Sequence, residues 1–341
     1  MKLKKKHIFY IGLAILVIIS ASIYSKIYGD NIQKSGDVYI YTNDSFEQVV
    51  EKLSPYLKNP NSFEWVAGLK KYKSPKSGKY RIEEGTSNND LINKLRIGSQ
   101  TPVKVSFNNQ DTIEKLAGRI ANQIEADSLS LLEAFINPSF LEKNNLNRAS
   151  VLQIFIPNTY EYYWNTSAVK FRDRMLANYK KFWNSSRLTK AKALKMSPSE
   201  VITLASIVQK ETAKREERPV VAGLYLNRLK RGWALQADPT IVYAIKQQKG
   251  QDYMVYRVLR TDLDIDSPYN TYKNRGLPPT LIGMPDISSI DAVLNPKRHD
   301  YMYMCASVDK FGYHEFAKSL AQHNRNAAKY QRWLSQQRIF R

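Results

Sequence analysis

The chain has 341 residues, of which 43% are hydrophobic, and this composition excludes a disordered protein and allows two domains with cores of their own. Its single cysteine, Cys305, excludes an internal disulfide framework and cysteine-based structural zinc. The formal net charge of +21 suits an anionic surface or polymer as partner, but the basic residues are spread along the whole chain, which argues against nucleic acid.

An apolar segment near the N-terminus predicts a membrane anchor. Four lysines precede an uncharged run of 18 residues, 8–25, which is long enough to cross a bilayer as a helix. These lysines are Lys2, Lys4, Lys5 and Lys6. We expect them to stay in the cytoplasm, which places the chain after Lys26 outside the cytoplasmic membrane. A cleaved signal peptide is the alternative, because Ser20-Ala21-Ser22 has the small residues of a cleavage site.

Three short strand-and-helix units follow the anchor. Alternating apolar residues predict strands at 38–41, 79–82 and 103–107, and apolar residues spaced three and four apart predict a helix after each strand. Ser, Thr, Asp and Asn side chains in the intervening turns can cap these helices. Units this small cannot bury their apolar faces alone, so we expect them to pack together as a small α+β assembly.

An aromatic-rich segment lies in the next part of the chain. Residues 126–179 are predicted to form helices around the segment 155–164, which contains several tyrosines and a tryptophan. These rings either pack in the core or form a wall on which pyranose rings stack, and the pattern leaves both alternatives open.

The clearest predicted helix ends on a glutamate. A capping box at 197–200 starts this helix, and an apolar stripe with helical spacing runs from Val201 to Val208. Glu211 lies at the edge of the stripe. A carboxyl held against apolar surface has a raised pKa and can donate a proton near neutral pH. The alternative is a solvated glutamate at the helix end that pairs with Arg215, four residues further on.

Further helices, a long loop and a closing strand pair complete the predicted elements. One helix begins at Pro219, and a second follows Asp238-Pro239, which is typical of an N-cap and a first-position proline. Capping is therefore one role for Asp238 and catalysis is the other. Residues 262–285 are mostly loop. Strands are predicted at 301–306 and through His314, with a helix over 319–333.

Few classes of catalytic site remain. The sequence has no nucleophilic-serine, zinc-protease or phosphate-loop motif, and its four histidines lack metal-ligand spacing, so we predict no metal and no cofactor. Ordinary glycosidases use two carboxylates. Glu211 has no obvious partner, because Glu216 and Glu217 lie in a charged segment that we interpret as solvated. One acid suffices where the substrate supplies its own nucleophile.

Several blocks of this sequence resemble the endolytic murein transglycosylases, the YceG-like family. They are residues 204–212, 227–229, 235–240, 269–272, 276–279 and 323–324, in that order. The N-terminal anchor also fits the family, and the unit from Gly78 to Gly98 fits a LysM-like subdomain. The family usually has glutamate where this chain has Gln209, so the resemblance assigns the catalytic acid to Glu211.

The resemblance implies a lyase that cuts peptidoglycan within nascent glycan strands. Glu211 would protonate the oxygen between N-acetylmuramic acid and N-acetylglucosamine, while the 2-acetamido group of the muramic residue stabilises the charge at C1. The carboxylate would then take the proton of the C6 hydroxyl, which closes onto C1. The product is a 1,6-anhydromuramic end, and no water enters.

The resemblance also implies the organisation of the chain. The fold class is α+β, with residues 1–28 as cytoplasmic tip and transmembrane anchor, 29–100 as a LysM-like domain and 101–341 as the catalytic domain. The candidate substrate-binding residues are Gln236, Asp238, Asn270, Tyr272, His314 and Asn324.

The implied partners are peptidoglycan strands, the cytoplasmic membrane and cell-wall synthases, with no nucleic acid. Two alternatives stay open at this point. One is a membrane-anchored glycan-binding scaffold without activity, and the other is a hydrolase of the same polymer. The masses of the products separate all three, since an anhydro end is lighter than a hydrated end by one water.

Overall fold

The described residues of the chain fold into many helices and three small two-stranded sheets, which confirms the predicted α+β class. A computed structural model describes residues 5–337, so Lys2 and Lys4 of the predicted cytoplasmic tip lie outside the described residues. The elements are α1 (Lys5–Tyr28), β1 (Gly36–Ile40), α2 (Phe46–Leu53), α3 (Pro60–Leu69), β2 (Gly78–Ile82), α4 (Asn88–Ile97), β3 (Val103–Phe107), α5 (Ile113–Ala121), α6 (Ser128–Phe135), α7 (Pro138–Lys143), β4 (Asn158–Tyr162), α8 (Ala168–Phe182), α9 (Ser185–Ala193), α10 (Pro198–Glu211), α11 (Arg218–Lys230), α12 (Asp238–Lys249), α13 (Ile287–Leu294), β5 (Tyr303–Ala306), β6 (His314–Ala317) and α14 (Leu320–Gln336).

Helix α1 covers the predicted anchor. Between residues 5 and 337 it is the one helix that is long and apolar enough to cross a membrane, a test that a signal sequence also passes. None of its side chains is buried by the rest of the protein. Its last turn is nevertheless fixed to the domain that follows, because Asn88 Nδ2 donates a 2.9 Å hydrogen bond to the Lys26 carbonyl.

The chain divides into two compact units, of which the first consists of Met1–Val105, Ile120–Asp127 and Thr159–Ser167. Its sheet pairs β1 with β2 in antiparallel register, with Gly36 opposite Ile82 and Ile40 opposite Gly78. Alternate residues of both strands point into a core that α2, α3 and α4 also line. Each fully buried aliphatic or aromatic side chain stabilises such a core by about 1.5–3 kcal/mol. The LysM-like description of residues 29–100 and the predicted domain limits stay predictions.

A small polar network lies inside this first core. Asn88 is fully buried, and its amide nitrogen also donates to Ser62 Oγ at 3.0 Å, while its oxygen accepts from Asn31 Nδ2 at 2.8 Å. Every member is a neutral group. Because each buried donor has an acceptor, the network avoids the cost of an unsatisfied polar group.

The third strand departs from the expected assembly. Strand β3 does not join the β1–β2 sheet but pairs with β4, which lies in the aromatic segment, around which helices and no strand were predicted. The rings of this segment mostly take the core-packing alternative, with Phe155, Tyr162 and Trp164 all buried. Periodicity failed here because β4 is only five residues long and only its last residue is buried.

The second unit consists of Ser106–Arg119, Ser128–Asn158 and Ala168–Arg341. Helix α10 lies at its centre and packs against α11, α12 and α13. Residues 201–208 of α10 are buried on every side, rather than along one stripe as predicted. Strands β5 and β6 form an antiparallel pair, with Ala306 opposite His314, and α14 packs on them. This arrangement confirms the predicted closing strands and helix.

Candidate active site

Glu211 is the last residue of α10, so a buried helix carries it to its place. Ser197 and Glu200 form the predicted capping box, and Pro198 occupies the first turn. The fully buried body of the helix fixes its axis, which leaves little freedom to the residue at its end. The Glu211 side chain is partly exposed. Glu211 therefore has a fixed backbone position and a side chain that solvent can reach.

The partner of Glu211 is a tyrosine, and not the arginine of the alternative interpretation. The Tyr225 hydroxyl, buried on α11, donates to Glu211 Oε1 at 2.5 Å. Among the ion pairs of residues 5–337, none joins Glu211 to Arg215. The i,i+4 spacing does not bring Arg215 to Glu211, because the helix ends at Glu211 and Thr212 is extended, with φ −139° and ψ 133°.

The surroundings of Glu211 raise its pKa. Burial is the largest influence and disfavours the carboxylate, and the nearby charge of Asp238 acts in the same direction. The Tyr225 hydrogen bond and the charges of His314 and Arg228 oppose this effect. The balance raises the pKa of Glu211 to about 7. Near neutral pH the Glu211 side chain is therefore protonated in a substantial fraction of the molecules, as the sequence led us to expect.

A buried ion pair stands beside this acid. His314 Nδ1 lies 2.9 Å from Glu217 Oε2, and the His314 backbone N–H donates to Glu217 Oε1 at 2.7 Å. Burial alone would lower the pKa of His314, but the hydrogen bond and charge of Glu217 and the charge of Glu211 raise it overall. Burial alone would likewise raise the pKa of Glu217, but its hydrogen bonds to His314 and Thr212 lower it overall.

The interpretation of Glu217 as a solvated residue was therefore wrong. Its side chain is 5% exposed, and it precedes α11, where the chain turns back against β6. The neighbouring Glu216 is exposed, as expected, and accepts a hydrogen bond from the Tyr313 hydroxyl. No local pattern distinguishes these two acids, because the partner of Glu217 lies 97 residues further along the chain.

A buried arginine contributes positive charge to the same site. Arg228 on α11 is buried and donates through Nε to the Met302 carbonyl at 2.8 Å and through Nη1 to the Leu235 carbonyl. Both acceptors are neutral carbonyls, so these hydrogen bonds do not neutralise the charge of Arg228. That charge favours the ionised form of Glu211. Sequence reasoning noted the block 227–229 but gave Arg228 no role.

Asp238 and Tyr272 form a second hydrogen-bonded pair at the site. The Tyr272 hydroxyl donates to Asp238 Oδ1 at 2.5 Å. Asp238 is the first residue of α12 rather than its N-cap; Ala237 holds the cap position, and no side chain caps the helix. The capping role expected for Asp238 was therefore wrong, and its carboxylate is instead exposed beside Glu211. Burial and the contact with Asp238 raise the pKa of the Tyr272 hydroxyl.

Gln236 lies next to this pair with an exposed side chain. Its φ of +49° places it in the left-handed region, which is uncommon for a residue with a side chain. A 2.9 Å hydrogen bond from its N–H to the Thr271 carbonyl holds this conformation. Asn324 is exposed on α14.

Asn270 differs from the other candidates because it is fully buried. Its Nδ2 donates to the carbonyls of Leu263 and Ile265 at 2.9 and 2.8 Å, and its Oδ1 accepts from the Tyr272 N–H at 2.9 Å. All its polar atoms are occupied by backbone groups. Asn270 therefore shapes the loop that carries Tyr272 instead of presenting a free amide.

Gln209, where the family usually has glutamate, faces away from Glu211. Its side-chain amide lies 2.7 Å from Ser289 Oγ and close to Asp286, which in turn binds Arg218 at 2.7 Å. This polar cluster joins α10 to α13. The position two residues before Glu211 therefore stabilises packing, and Glu211 is the acid of this segment that reaches the open side.

Glu211 opens onto a cleft of about 450 Å³ in the second unit. Asp111, Lys210, Asp238, Tyr243 and Tyr256 also line this cleft. Its volume is within the range of about 300–1,000 Å³ that small-molecule sites occupy. In the described part of the chain, no three His, Cys, Asp or Glu side chains converge closely enough to hold a metal ion. The cleft thus offers acid–base groups and aromatic surface.

Comparison with known proteins identifies relatives over most of the chain. Endolytic murein transglycosylase from Bacillus subtilis (strain 168) is 27% identical over 336 residues, which cover 92% of this chain and 91% of the relative. The protein of the same name from Streptococcus pneumoniae (strain D39) is 30% identical over 294 residues, or 79% of this chain. The chain spans only 53% of that streptococcal relative's length.

A solved structure and a family model agree with these relatives. The crystal structure of a protein described as yceG-like from Listeria monocytogenes superposes with a TM-score of 0.57 at 25% identity, over 86% of this chain and 98% of the other. The model of the YceG-like family matches residues 38–329, which include Glu211 and every candidate binding residue. The chain belongs to the YceG-like family.

Proposed function

We propose that this chain is a membrane-anchored endolytic murein transglycosylase, a lyase with the activity that the names of its Bacillus and Streptococcus relatives carry. The observation that supports this proposal best is the state of Glu211. One acid with a pKa of about 7 opens onto a cleft, and its direct partner is a tyrosine rather than a second carboxylate. Asp238 and Asp111 also line the cleft, but Glu211 is the acid that is neutral near pH 7 and can both donate and recover a proton, which suits a reaction in which the substrate is its own nucleophile.

The hydrogen bond from Tyr225 distinguishes the two oxygens of the acid. Oε1 accepts from the Tyr225 hydroxyl, so in the neutral form the proton is carried by Oε2. Oε2 donates this proton to the glycosidic oxygen between N-acetylmuramic acid and N-acetylglucosamine, and the C1–O bond breaks. The 2-acetamido oxygen of the muramic residue stabilises C1 as positive charge develops there.

Glu211 then acts as a base. Its carboxylate takes the proton of the C6 hydroxyl while the C6 oxygen bonds to C1, which closes the 1,6-anhydro ring and restores the neutral acid. The positive charges of His314 and Arg228 stabilise the intermediate carboxylate, and the Tyr225 hydroxyl remains bonded to it. The cycle uses one proton twice and consumes no water.

The glycan is held by groups on the α12 side of the cleft. The Asp238 carboxylate and Tyr272 hydroxyl offer an acceptor and a donor for sugar hydroxyls, and the exposed Gln236 amide offers both. Tyr256 is 91% exposed on the cleft wall and presents a face to a pyranose ring. Asn270 positions Tyr272.

Two further candidates complete the set. His314 acts through its charge on Glu211, and Asn324 stays a candidate for contact with a longer strand.

The chain works at the membrane surface in this proposal. Helix α1 spans the cytoplasmic membrane once, with the basic tip in the cytoplasm and both folded units outside. Newly made glycan strands occur at that surface, so cell-wall synthases are natural partners. The excess of positive charge favours anionic wall polymers and lipid headgroups.

The test uses full-length protein in detergent with purified peptidoglycan. Mass spectrometry of the fragments is expected to find 1,6-anhydromuramic ends with the wild type and none above background with Glu211→Gln, because an amide cannot donate and recover the proton. Glu142→Gln, an exposed acid on α7, is the matched control and should cleave like wild type. Hydrated ends would indicate the hydrolase, and binding without cleavage would indicate the scaffold; either result contradicts the proposal.

A further inference from the structure

A second pocket of about 380 Å³ adjoins the cleft that contains Glu211. Three residues, Asp111, Tyr243 and Gln251, line both cavities, so they share a wall. Both are built from residues of the second unit. The candidate residues named so far contribute nothing to the second pocket, whose own lining includes Glu114, Arg148, Ala149 and Gln247.

The junction between the two cavities is fixed by several contacts. The Met284 N–H donates to the Gln110 carbonyl at 2.9 Å, and Asn109 Nδ2 donates to the Met284 carbonyl at 3.0 Å. Lys210, the residue before Glu211, pairs with Asp111 at 2.5 Å. These bonds hold the segment 108–112 against the segment 281–284, so the second pocket has a defined floor.

Gly283 allows this close approach. A Cβ at this position would lie 3.3 Å from Lys210 Cε and 3.4 Å from Asp111 Oδ1, and the φ of +155° is rarely adopted by residues with a side chain. The glycine therefore permits the Lys210–Asp111 pair to cross the junction. The pair lies at the junction, since Asp111 lines both cavities and Lys210 lines the first.

The lining of the second pocket mixes polar and apolar side chains, and its charges are nearly balanced. Arg148 pairs with Glu114 at 2.6 Å, and Asp111 pairs with Lys210, so the charges that line the pocket are matched locally. Amide groups of Gln247 and Gln251 supply donors and acceptors, and Tyr243 supplies an aromatic face. Amides beside an aromatic ring fit the hydroxyl and acetamido groups of sugars, whereas the several carboxylates of a stem peptide would need an unpaired cation.

Tyr243 is itself held in place. Its ring contacts that of Tyr269 with centroids 4.7 Å apart, and the Tyr269 hydroxyl lies 2.7 Å from Thr280 Oγ1. A sugar that passes from one cavity to the other therefore meets a fixed ring at the shared wall. Little side-chain entropy is lost when a ligand stacks on a ring that is already ordered.

We propose that the second pocket binds further sugars of the same glycan strand, beyond those that span Glu211. This inference rests on the proposed function, since it concerns the same substrate. A strand that is cut inside its length extends beyond the first cleft, and the second pocket adjoins that cleft at Tyr243. Strands long enough to fill both cavities are then bound more tightly than short ones, which favours cuts inside a strand.

The experiment measures how cleavage depends on strand length. Full-length protein in detergent acts on peptide-free glycan oligomers, a tetrasaccharide and an octasaccharide, and kcat/KM is compared between them. We expect wild type to prefer the octasaccharide by about tenfold or more, a ratio that corresponds to about 1.4 kcal/mol of additional binding. Ala149→Trp fills the second pocket and should bring this ratio close to one.

Two further variants keep the result interpretable. Gln247→Ala removes one amide and should reduce the ratio partly, without the bulk of a tryptophan. Ala193→Trp places the same side chain on the exposed face of α9, outside both cavities, and should keep the wild-type ratio.

An unchanged ratio in both Ala149→Trp and Gln247→Ala would overturn the inference. A length preference that appears only on strands retaining stem peptides would also overturn it, because the pocket would then bind peptide. Failure of the proposed function is a separate result: no anhydro ends from any substrate. In that case octasaccharide binding to Glu211→Gln, with and without Ala149→Trp, still measures whether the second pocket holds sugar.

Discussion

Both units of the molecule bury polar side chains, but they do so in opposite ways. In the first unit Asn88, Asn31 and Ser62 form a closed network of neutral groups. In the second unit Glu211 is held with a buried tyrosine near a histidine–glutamate pair and a buried arginine, and the cluster opens onto a cleft. The first arrangement stabilises a fold at any ordinary pH, whereas the second keeps groups in protonation states that chemistry can use.

The largest effect should come from opening the neutral network. Asn88→Ala leaves the Lys26 carbonyl, Ser62 and Asn31 without their partner, so we expect a loss of about 3 kcal/mol in the free energy of unfolding. The loss should be equal at pH 5 and pH 8, as measured by urea denaturation of the full chain. Asn93→Ala, partly exposed on the same helix, should cost less than about 1 kcal/mol. A strong pH dependence would contradict the comparison.

The charged cluster should behave in the opposite sense when Glu211 is neutralised. The folded pKa of about 7 lies above the ordinary value of 4.5, so wild type loses stability as pH rises from 4.5 through 7. Glu211→Gln does not lose this stability, because its amide does not titrate. We expect it to gain about 2 kcal/mol relative to wild type between pH 5 and pH 8, after allowance for partial exposure.

Denaturation midpoints at both pH values measure this gain. The exposed Glu142→Gln variant should follow wild type at each pH, which controls for the loss of one negative charge. A Glu211→Gln variant with the same relative stability at pH 5 and pH 8 would show that Glu211 is an ordinary solvated acid.

A smaller effect is expected from the His314–Glu217 pair. The raised pKa of His314 contributes stability below 6.5 that is lost as pH rises through its folded pKa, and the lowered pKa of Glu217 contributes stability above 4.5 that is lost on acidification. A double-mutant cycle with Glu217→Gln and His314→Gln should therefore give a coupling of about 1.5–2 kcal/mol near pH 5.5. The coupling should be clearly smaller at pH 9.

The same cycle on the exposed pair Lys318 and Asp300 should give less than about 0.5 kcal/mol at either pH. Equal coupling at pH 5.5 and 9 for the buried pair would mean that its contribution is packing rather than charge.

The smallest effect concerns the pH profile of cleavage. The Tyr225 hydrogen bond lowers the pKa of Glu211, so Tyr225→Phe should raise that pKa and move the alkaline fall in kcat/KM upward by about half to one pH unit. The maximum rate should fall by about tenfold, because the carboxylate formed in the reaction loses a donor. Tyr313→Phe removes a similar hydrogen bond from the exposed Glu216 and should leave the pH profile unchanged.

Local patterns in the sequence were sufficient to locate the acid but not its partners. The capping box and apolar run of α10 determine where Glu211 lies, because both are contacts within one helix. Tyr225 lies 14 residues away on the next helix, and His314 meets Glu217 across 97 residues, so no local spacing encodes either contact. The alternative pair with Arg215 does not form, because the helical spacing on which it depends ends at Glu211.

Two other errors have a similar cause. Asp238-Pro239 has the composition of a helix start, yet the helix begins one residue earlier than a capping Asp238 requires, and Tyr272 takes the carboxylate. Strand β4 was missed because its short alternation becomes a strand only through its partner β3. In each case a tertiary partner, invisible in the local sequence, decided the outcome.

The bond between Asn88 and the Lys26 carbonyl has a mechanical consequence. It makes the final turn of α1 part of a folded domain, so no slack chain separates the two. A domain attached in this way rotates and tilts together with its helix and does not reorient independently of it. Loss of the Asn88 side chain would therefore loosen the joint between helix and domain as well as open the polar network.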